Sequence, residues 1–333
     1  MDHNLRKINH SNSVDRTLLV CSTDFSGFSH FIKFIACLLL LFFITAGCVF
    51  AQVIPTQKNT RVLQLQGQGD SALALPSDVA VYGGKVYVVD GGHHRVVVYD
   101  LEGNYLFQFG EKGQGPGQMN YPVGIDAAKD DRIYVADSGN HRVQIFTAMG
   151  KYLSSFKVKI KARGIRPIDI IRQSRNGNII VSGANRLLTY SPKGKLLKTW
   201  GGNGVNQGEF RYPATLAELN DGRIAVVDVL NSRVQVFNTN GSISMMVGEW
   251  GVLPGQVVRP KGVAIDRKGN FYISDSYMNM VQKYSDGGEF IAVLGERGQP
   301  YEMLTPVGMT VYKNRLYVVE MRKHQVSVYQ LVK

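Results

Sequence analysis

Six prolines recur at nearly constant spacing through this chain: Pro76, Pro122, Pro167, Pro213, Pro260 and Pro306, at intervals of 46, 45, 46, 47 and 46 residues. A period of that length marks an array of like units, none of which can bury its apolar face alone. The second copy shows the unit most clearly. A short apolar strand is expected from Val123 to Asp126, a turn at Asp130-Asp131, and a second strand from Arg132 to Ala136. The loop Asp137-Ser138-Gly139-Asn140 follows, then an alternating strand from Arg142 to Phe146, a turn closing on Gly150, and a fourth strand from Lys151 to Phe156. Four short strands per period are the pattern of a propeller blade. The 36 glycines and the lack of long helix-period apolar stretches agree with an all-β chain, and 44% apolar against 19% charged content excludes disorder for most of it.

After its second strand, copy after copy carries a related stretch: His93-His94-Arg95-Val96, Asn140-His141-Arg142-Val143, Asn231-Ser232-Arg233-Val234 and Asn279-Met280-Val281. On these residues and their spacing, the chain resembles the NHL repeat family over residues 61–333. The resemblance implies a six-bladed β-propeller of four-stranded antiparallel blades. The last copy reaches Val326 to Tyr329 and then ends at Lys333 with no fourth strand. Arg61 to Gly67, in contrast, matches the fourth strands of other copies, such as Asn104 to Gly110 and Glu289 to Gly295. The N-terminal strand is therefore expected to complete the sixth blade and close the ring, pairing edge groups that would otherwise invite other chains. Residues 52–60 are left as a linker, with no room for a second domain.

Asp90, Asp137, Asp228 and Asp275 recur at the end of the second strand, and Arg95, Arg142 and Arg233 follow five residues later. A residue needed in every blade is structural: the carboxylate caps loop amides or pairs with the arginine. Ser182 is read as replacing the aspartate in the third copy and Met280 as replacing the arginine in the fifth, while the sixth has Glu320 with Lys323 and His324. His94, His141 and His324 fall at equivalent positions. One zinc needs its nitrogens about 2 Å away, whereas packed sheets stand about 10 Å apart, so they are not expected to share a metal. Near the central channel, two residues after each proline, stand Asp78, Gly124, Asp169, Thr215, Gly262 and Gly308. Small residues let six strands converge. Asp78 and Asp169 either bond to neighbouring strands or hold a cation, zinc or calcium, or a polar ligand at the channel mouth. No cofactor is otherwise expected, and no G-x-S-x-G, H-E-x-x-H or G-x-x-x-x-G-K motif is found.

Residues 34–51, FIACLLLLFFITAGCVFA, carry no charge and follow Lys33. This is an export signal or membrane anchor. Val49-Phe50-Ala51 offers cleavage before Gln52, Thr45-Ala46-Gly47-Cys48 resembles a bacterial lipobox that would lipidate Cys48, and the length is also the lower limit for an uncleaved span. All three export residues 52–333 to the periplasm or the exterior. Cys21, Cys37 and Cys48 are the chain's three cysteines, so disulfides and cysteine-zinc sites are excluded from the repeats.

The net charge is +12, and from Lys157 to Trp200 eleven basic residues are opposed only by Asp169. Lys157, Lys159, Lys161 and Arg163 are the candidates for contact with a polyanion: lipid headgroups or acidic polysaccharide rather than nucleic acid, because of export. The ligand face is expected on the loops entering each blade and those after each second strand. Its candidate contacts are Tyr121, Arg166, Tyr212 and Arg259, just before four of the prolines, with Arg163 and Arg211. Aromatic and arginine side chains suit peptide or carbohydrate recognition, and equally pack blade entrances. The expectation is an exported, membrane-associated, monomeric binding or scaffold module for a protein, peptide or anionic carbohydrate or lipid. The alternative is a metal-dependent lyase or hydrolase at the channel mouth, resembling peptidyl-amidating lyase propellers with their histidine-bound zinc.

Overall fold

The computed structural model describes residues 54–128, 130–160 and 163–332. The apolar segment 34–51 with Cys48, and also Lys161, lie outside the described residues. Six antiparallel blades form a ring, each running from an inner strand at the axis to an outer strand at the rim. Blade 1 comprises Pro76–Tyr82, Lys85–Asp90, Arg95–Asp100 and Tyr105–Phe109. Blade 2 comprises Pro122–Ala128, Arg132–Asp137, Arg142–Thr147 and Tyr152–Lys157, the four strands expected to within two residues at each end. Blades 3 to 6 begin at Ile170, Pro213, Pro260 and Pro306.

The middle strands are valine-rich and covered on both faces, as KVYVVD and RVVVYD of blade 1 show. Each blade packs one face on the preceding blade and one on the next, so these strands need no polar alternation. Among the described residues six buried apolar clusters result, each shared by two neighbouring blades. In blades 1 to 5 the turn into the outer strand closes on a glycine at positive φ, for example Gly103 at 96° and Gly150 at 76°, a conformation that side chains resist.

The ring closes as expected. Arg61–Leu65 pairs antiparallel with Gln325–Gln330, placing Arg61 opposite Tyr329 and Leu65 opposite Val326. Leu65 then sits in the buried cluster shared by blades 6 and 1, with Val88, Val319 and Val326. The segment expected as a linker does more than connect. Thr56–Gln57 lies parallel to the outer strand of blade 5, opposite Val293 and Leu294, and Lys58 pairs with Glu296 at 2.8 Å. Two paired residues have no alternation to read, which is why the sequence pattern does not reveal this strand.

Blade 3 departs from its siblings. Its inner strand is only Ile170–Arg172, and a two-residue turn, Ala184-Asn185, joins Ile179–Gly183 to Arg186–Tyr190. The shorter turn changes the register: Gly183 faces Arg186, as Asp137 faces Arg142. The reading of Ser182 as the missing aspartate is corrected accordingly. Ser182 donates to Ala214 O as Ser274 donates to Val307 O, and glycine occupies the aspartate position. A side chain there would collide with Arg166 O.

Truncating Leu65 tests the closure. Leu65→Ala should cost about 2–5 kcal/mol in reversible chemical denaturation, and loss within error of a surface substitution would show that the ring does not depend on this strand.

Candidate functional site

The loops entering the blades and those after the second strands share one face, joined by backbone hydrogen bonds such as Gly92 N to Ala74 O, Gly139 N to Asn120 O and Leu230 N to Arg211 O. Two side-chain clamps fix the entrances. In the first, the buried acid ending the second strand accepts the amide two residues before the blade proline: Asp90 from Ala74, Asp137 from Asn120, Asp228 from Arg211, Asp275 from Val258 and Glu320 from Leu304, at 2.6–3.1 Å. Asp90, Asp137 and Asp228 also hold the arginine five residues on, at 2.7–3.0 Å. In the second, the residue before the third strand stands at positive φ and reaches the next blade. His324 Nδ1 accepts the Leu75 amide, His94 Nδ1 that of Tyr121, Asn185 Oδ1 that of Tyr212 and Asn279 Oδ1 that of Thr305. Ser232 instead donates to Val258 O.

Neither clamp forms at the entrance to blade 3. Gly183 has no carboxylate to offer. The Ile165 amide, two residues before Pro167, bonds instead to Val158 O within the hairpin of Lys159–Ile160 and Arg163–Gly164. His141 Nδ1 is buried with no partner among the described residues. A cleft of about 490 Å³ opens here, lined by Ser138, His141, Ile165, Arg166, Asn185 and Tyr212 among others, with no carboxylate among its lining residues.

Of the residues singled out in the sequence, Arg166 and Tyr212 meet at this cleft. Tyr121 is exposed on the same face one junction away, its ring against His94 at 4.7 Å. Arg211 and Arg259 are exposed beside blades 4 and 5, and their amides are bonded to Asp228 and Asp275. Lys157 and Lys159 are exposed, Lys157 Nζ reaching Asn140 O, while of Arg163 only the backbone pairing with Ile160 is described. Sequence reasoning missed Lys261, which follows Pro260 where the other blades have Ser77, Val123, Ile168, Ala214 and Val307. It stands over the Tyr212 ring at 5.1 Å, and burial lowers its pKa, with the Arg259 charge adding to the effect. The change from small or apolar to charged at one position of a repeat was the available clue. Gln144, Gln235 and Gln282 were missed as well. Each accepts a loop glycine amide, from Gly117, Gly208 and Gly255, and recurs two residues after the motif arginine or its replacement.

The channel opens on the loop face into a hollow of about 210 Å³ that includes Asp78, Asp169, Tyr212 and Lys261. On the other face it widens to about 240 Å³ beside Asp126, Arg172 and Glu218. Asp78 accepts the amides of Val79 and Ile125, and Asp169 that of Leu216, so each carboxyl ties its inner strand to the next blade's. Gly124 and Gly308 leave the space: a Cβ on either would strike Asp169 or Asp78. Asp169 Oδ1 is buried with no partner among the described residues. Burial pushes the Asp78 carboxyl up to about 7 against its amide hydrogen bonds. Burial first, then the Asp78 charge, holds Asp169 well above the usual carboxyl range, and burial lifts Asp126 to about 6. Among the described residues no three His, Cys, Asp or Glu side chains converge to share a metal ion. His94 and His324 each use Nδ1 to accept a neighbouring amide, so the histidines do not fit the zinc set of an amidating lyase.

Residues 57–127 and 207–332, more than half of the chain, match the six-bladed beta-propeller family DUF5128. The chain belongs to this family. Residues 119–146, at blade 2, match the NHL repeat. Protein brain tumor of Drosophila melanogaster is 29% identical over 158 residues, 44% of this chain and 15% of that protein. The human E3 ubiquitin-protein ligase NHLRC1 is 26% identical over 275 residues, 74% of this chain and 64% of that one. The chain thus spans less than two thirds of either relative. Among solved structures, the catalytically inactive virginiamycin B lyase of Staphylococcus aureus with quinupristin superposes with a TM-score of 0.57 at 12% identity, over 85% of this chain and 97% of that one. At that identity the likeness is one of fold.

The channel acids give the DUF5128 propeller a pH signature. An acid whose pKa rises on folding holds a proton in the native state that the unfolded chain has lost. Its stabilising contribution is full below the ordinary carboxyl value of about 3.9, and is lost as pH rises through the folded value, which for Asp78 is about 7. The melting temperature should therefore fall from about pH 5 to about pH 8, and fall less in Asp169→Asn, which removes one of the two facing charges. Identical pH profiles for the two proteins would refute this account.

Proposed function

We propose that this propeller is a binding module that takes a protein or peptide partner on its loop face. One observation carries the reading: the loops of blades 4 and 5 expose Leu230, Trp250, Val252, Leu253 and Tyr277, with Trp250 76% exposed, beside the exposed arginines Arg211 and Arg259. Isolated apolar residues at a surface need no explanation, but tryptophan, tyrosine and arginine together are the composition of interface anchors. The corresponding loop before blade 2, Glu111-Lys112-Gly113-Gln114-Gly115, is polar. A protein partner is also in keeping with the human relative, an E3 ubiquitin-protein ligase. Residues 34–51 support action outside the cytoplasm at a membrane, through an anchor or a lipidated Cys48, or after cleavage. The propeller is taken to work as a monomer, without a cofactor.

Cross-linking and affinity capture with the full chain in mild detergent test the face. The double variant Trp250→Asp, Tyr277→Asp should lose the partner that the unaltered protein captures, at an unchanged circular dichroism spectrum. Equal capture by both would discard the loop face as the binding surface.

A metal-dependent lyase or hydrolase at the channel mouth is the second reading, favoured by the unpartnered Asp169 Oδ1. Elemental analysis of purified protein decides between them. One zinc or calcium per chain, lost in Asp169→Ala, would support the enzyme, and metal-free protein that still captures its partner would support the binding module.

A further inference from the structure

The repeat supplies its own control. Five entrances are held by the carboxylate clamp, and four junctions by an imidazole or amide reaching the residue before the next blade's proline. At blade 3 both are missing, and the groups that make them elsewhere are left over. His141 stands at positive φ like His94 and His324, yet its buried Nδ1 has no partner among the described residues. Arg186 is the counterpart of Arg95, Arg142 and Arg233. Because Gly183 stands opposite it in place of an aspartate, it is exposed, and no ion pair to it is found among the described residues. Arg166 is exposed at the lip of the same cleft.

We propose that the cleft between blades 2 and 3 is the partner's anchoring point, and that it takes a carboxylate of an extended acidic peptide. This rests on the binding-module reading and names the chemistry recognised. Arg166, which lines the cleft, presents planar donors that match a carboxylate in two parallel hydrogen bonds, and Arg186, next in sequence to the lining residues Ala184 and Asn185, is a second exposed arginine. The Nδ1-H tautomer of His141 gives a third donor, at a position where the other blades' histidines meet backbone. Ser138 and Tyr212 add hydroxyls, while Ile165, Ile168 and Pro213 make an apolar lining that a bare anion does not need and a peptide chain does. The cleft's volume of about 490 Å³ lies within the range of ligand-binding clefts. The lysines nearby, Lys157 and Lys159, extend the positive field over which an acidic segment would run.

The test is fluorescence anisotropy with the full chain in mild detergent and two labelled probes: hexaglutamate amide, which has only side-chain carboxylates, and hexaglutamine with a free C-terminus. Binding of the first alone assigns side-chain carboxylates, and binding of the second alone a chain terminus. Arg166→Glu and Arg186→Glu should each weaken the bound probe by about tenfold or more, the size of a lost charge-assisted hydrogen-bonded pair. Lys193→Glu, in the turn before the outer strand on the opposite face, should leave it within about twofold. Failure of both probes to bind overturns the proposal. So does equal weakening by Lys193→Glu, which would mean diffuse charge, or retention on phosphatidylglycerol vesicles that neither Arg166→Glu nor peptide reduces, which would mean a lipid surface. Capture that still depends on Trp250 and Tyr277 alongside any of these results would sink the cleft while leaving the binding module standing.

Discussion

The hydrogen bonding of Arg61–Leu65 to Gln325–Gln330 is the constraint on which everything else depends. Each blade is too thin to bury its own middle strands, so every apolar cluster is shared by two blades, and an open ring would leave one such interface facing water. Pairing the first strand with the last converts a linear array into a closed one. The backbone groups satisfied at the seam also fix the relation of blades 6 and 1, on which the channel geometry rests.

Within the ring, adjacent blades are joined by polar bonds one repeat apart in sequence. Ser77 donates to Val123 O, Asp126 accepts the Arg172 amide and Thr215 donates to Lys261 O, with sequence separations of 46 residues. Asp78 and Asp169 extend the same device into the channel, where burial raises their pKa. Those acids are therefore fasteners by geometry: their amide hydrogen bonds favour the charged carboxylate, and burial opposes it.

Much of this was legible in the chain. The prolines fixed the period, the alternation of Arg142 to Phe146 marked a strand, and the unmatched Arg61 to Gly67 pointed to the seam, because all three are local patterns. The role of the recurrent Asp–Arg pair was legible too, since a pair that recurs at one position of three blades points to a structural need. Other features were hidden because they are relations between distant residues. The reach of His94 to the Tyr121 amide, the bond of Gln144 to Gly117 and the closeness of Lys261 to Tyr212 leave no periodic trace in one copy. The register at Gly183 was misread as a substitution at Ser182, since a turn shortened by two residues shifts the alignment without altering the composition. Of the candidate ligand residues, Tyr121, Arg166, Tyr212 and Arg259 were found by their repeat position, but only the fold shows that two of them border a cleft.

The short parallel strand Thr56–Gln57 has a mechanical meaning. It is bonded to the rim of blade 5, and Lys58 to Glu296, before the chain reaches the seam at Arg61. A pull from the N-terminal side loads that attachment first and the closing strand only after it has peeled away. The rim of blade 5 thus acts as a strain relief for the ring, as a cable is tied down ahead of its connector.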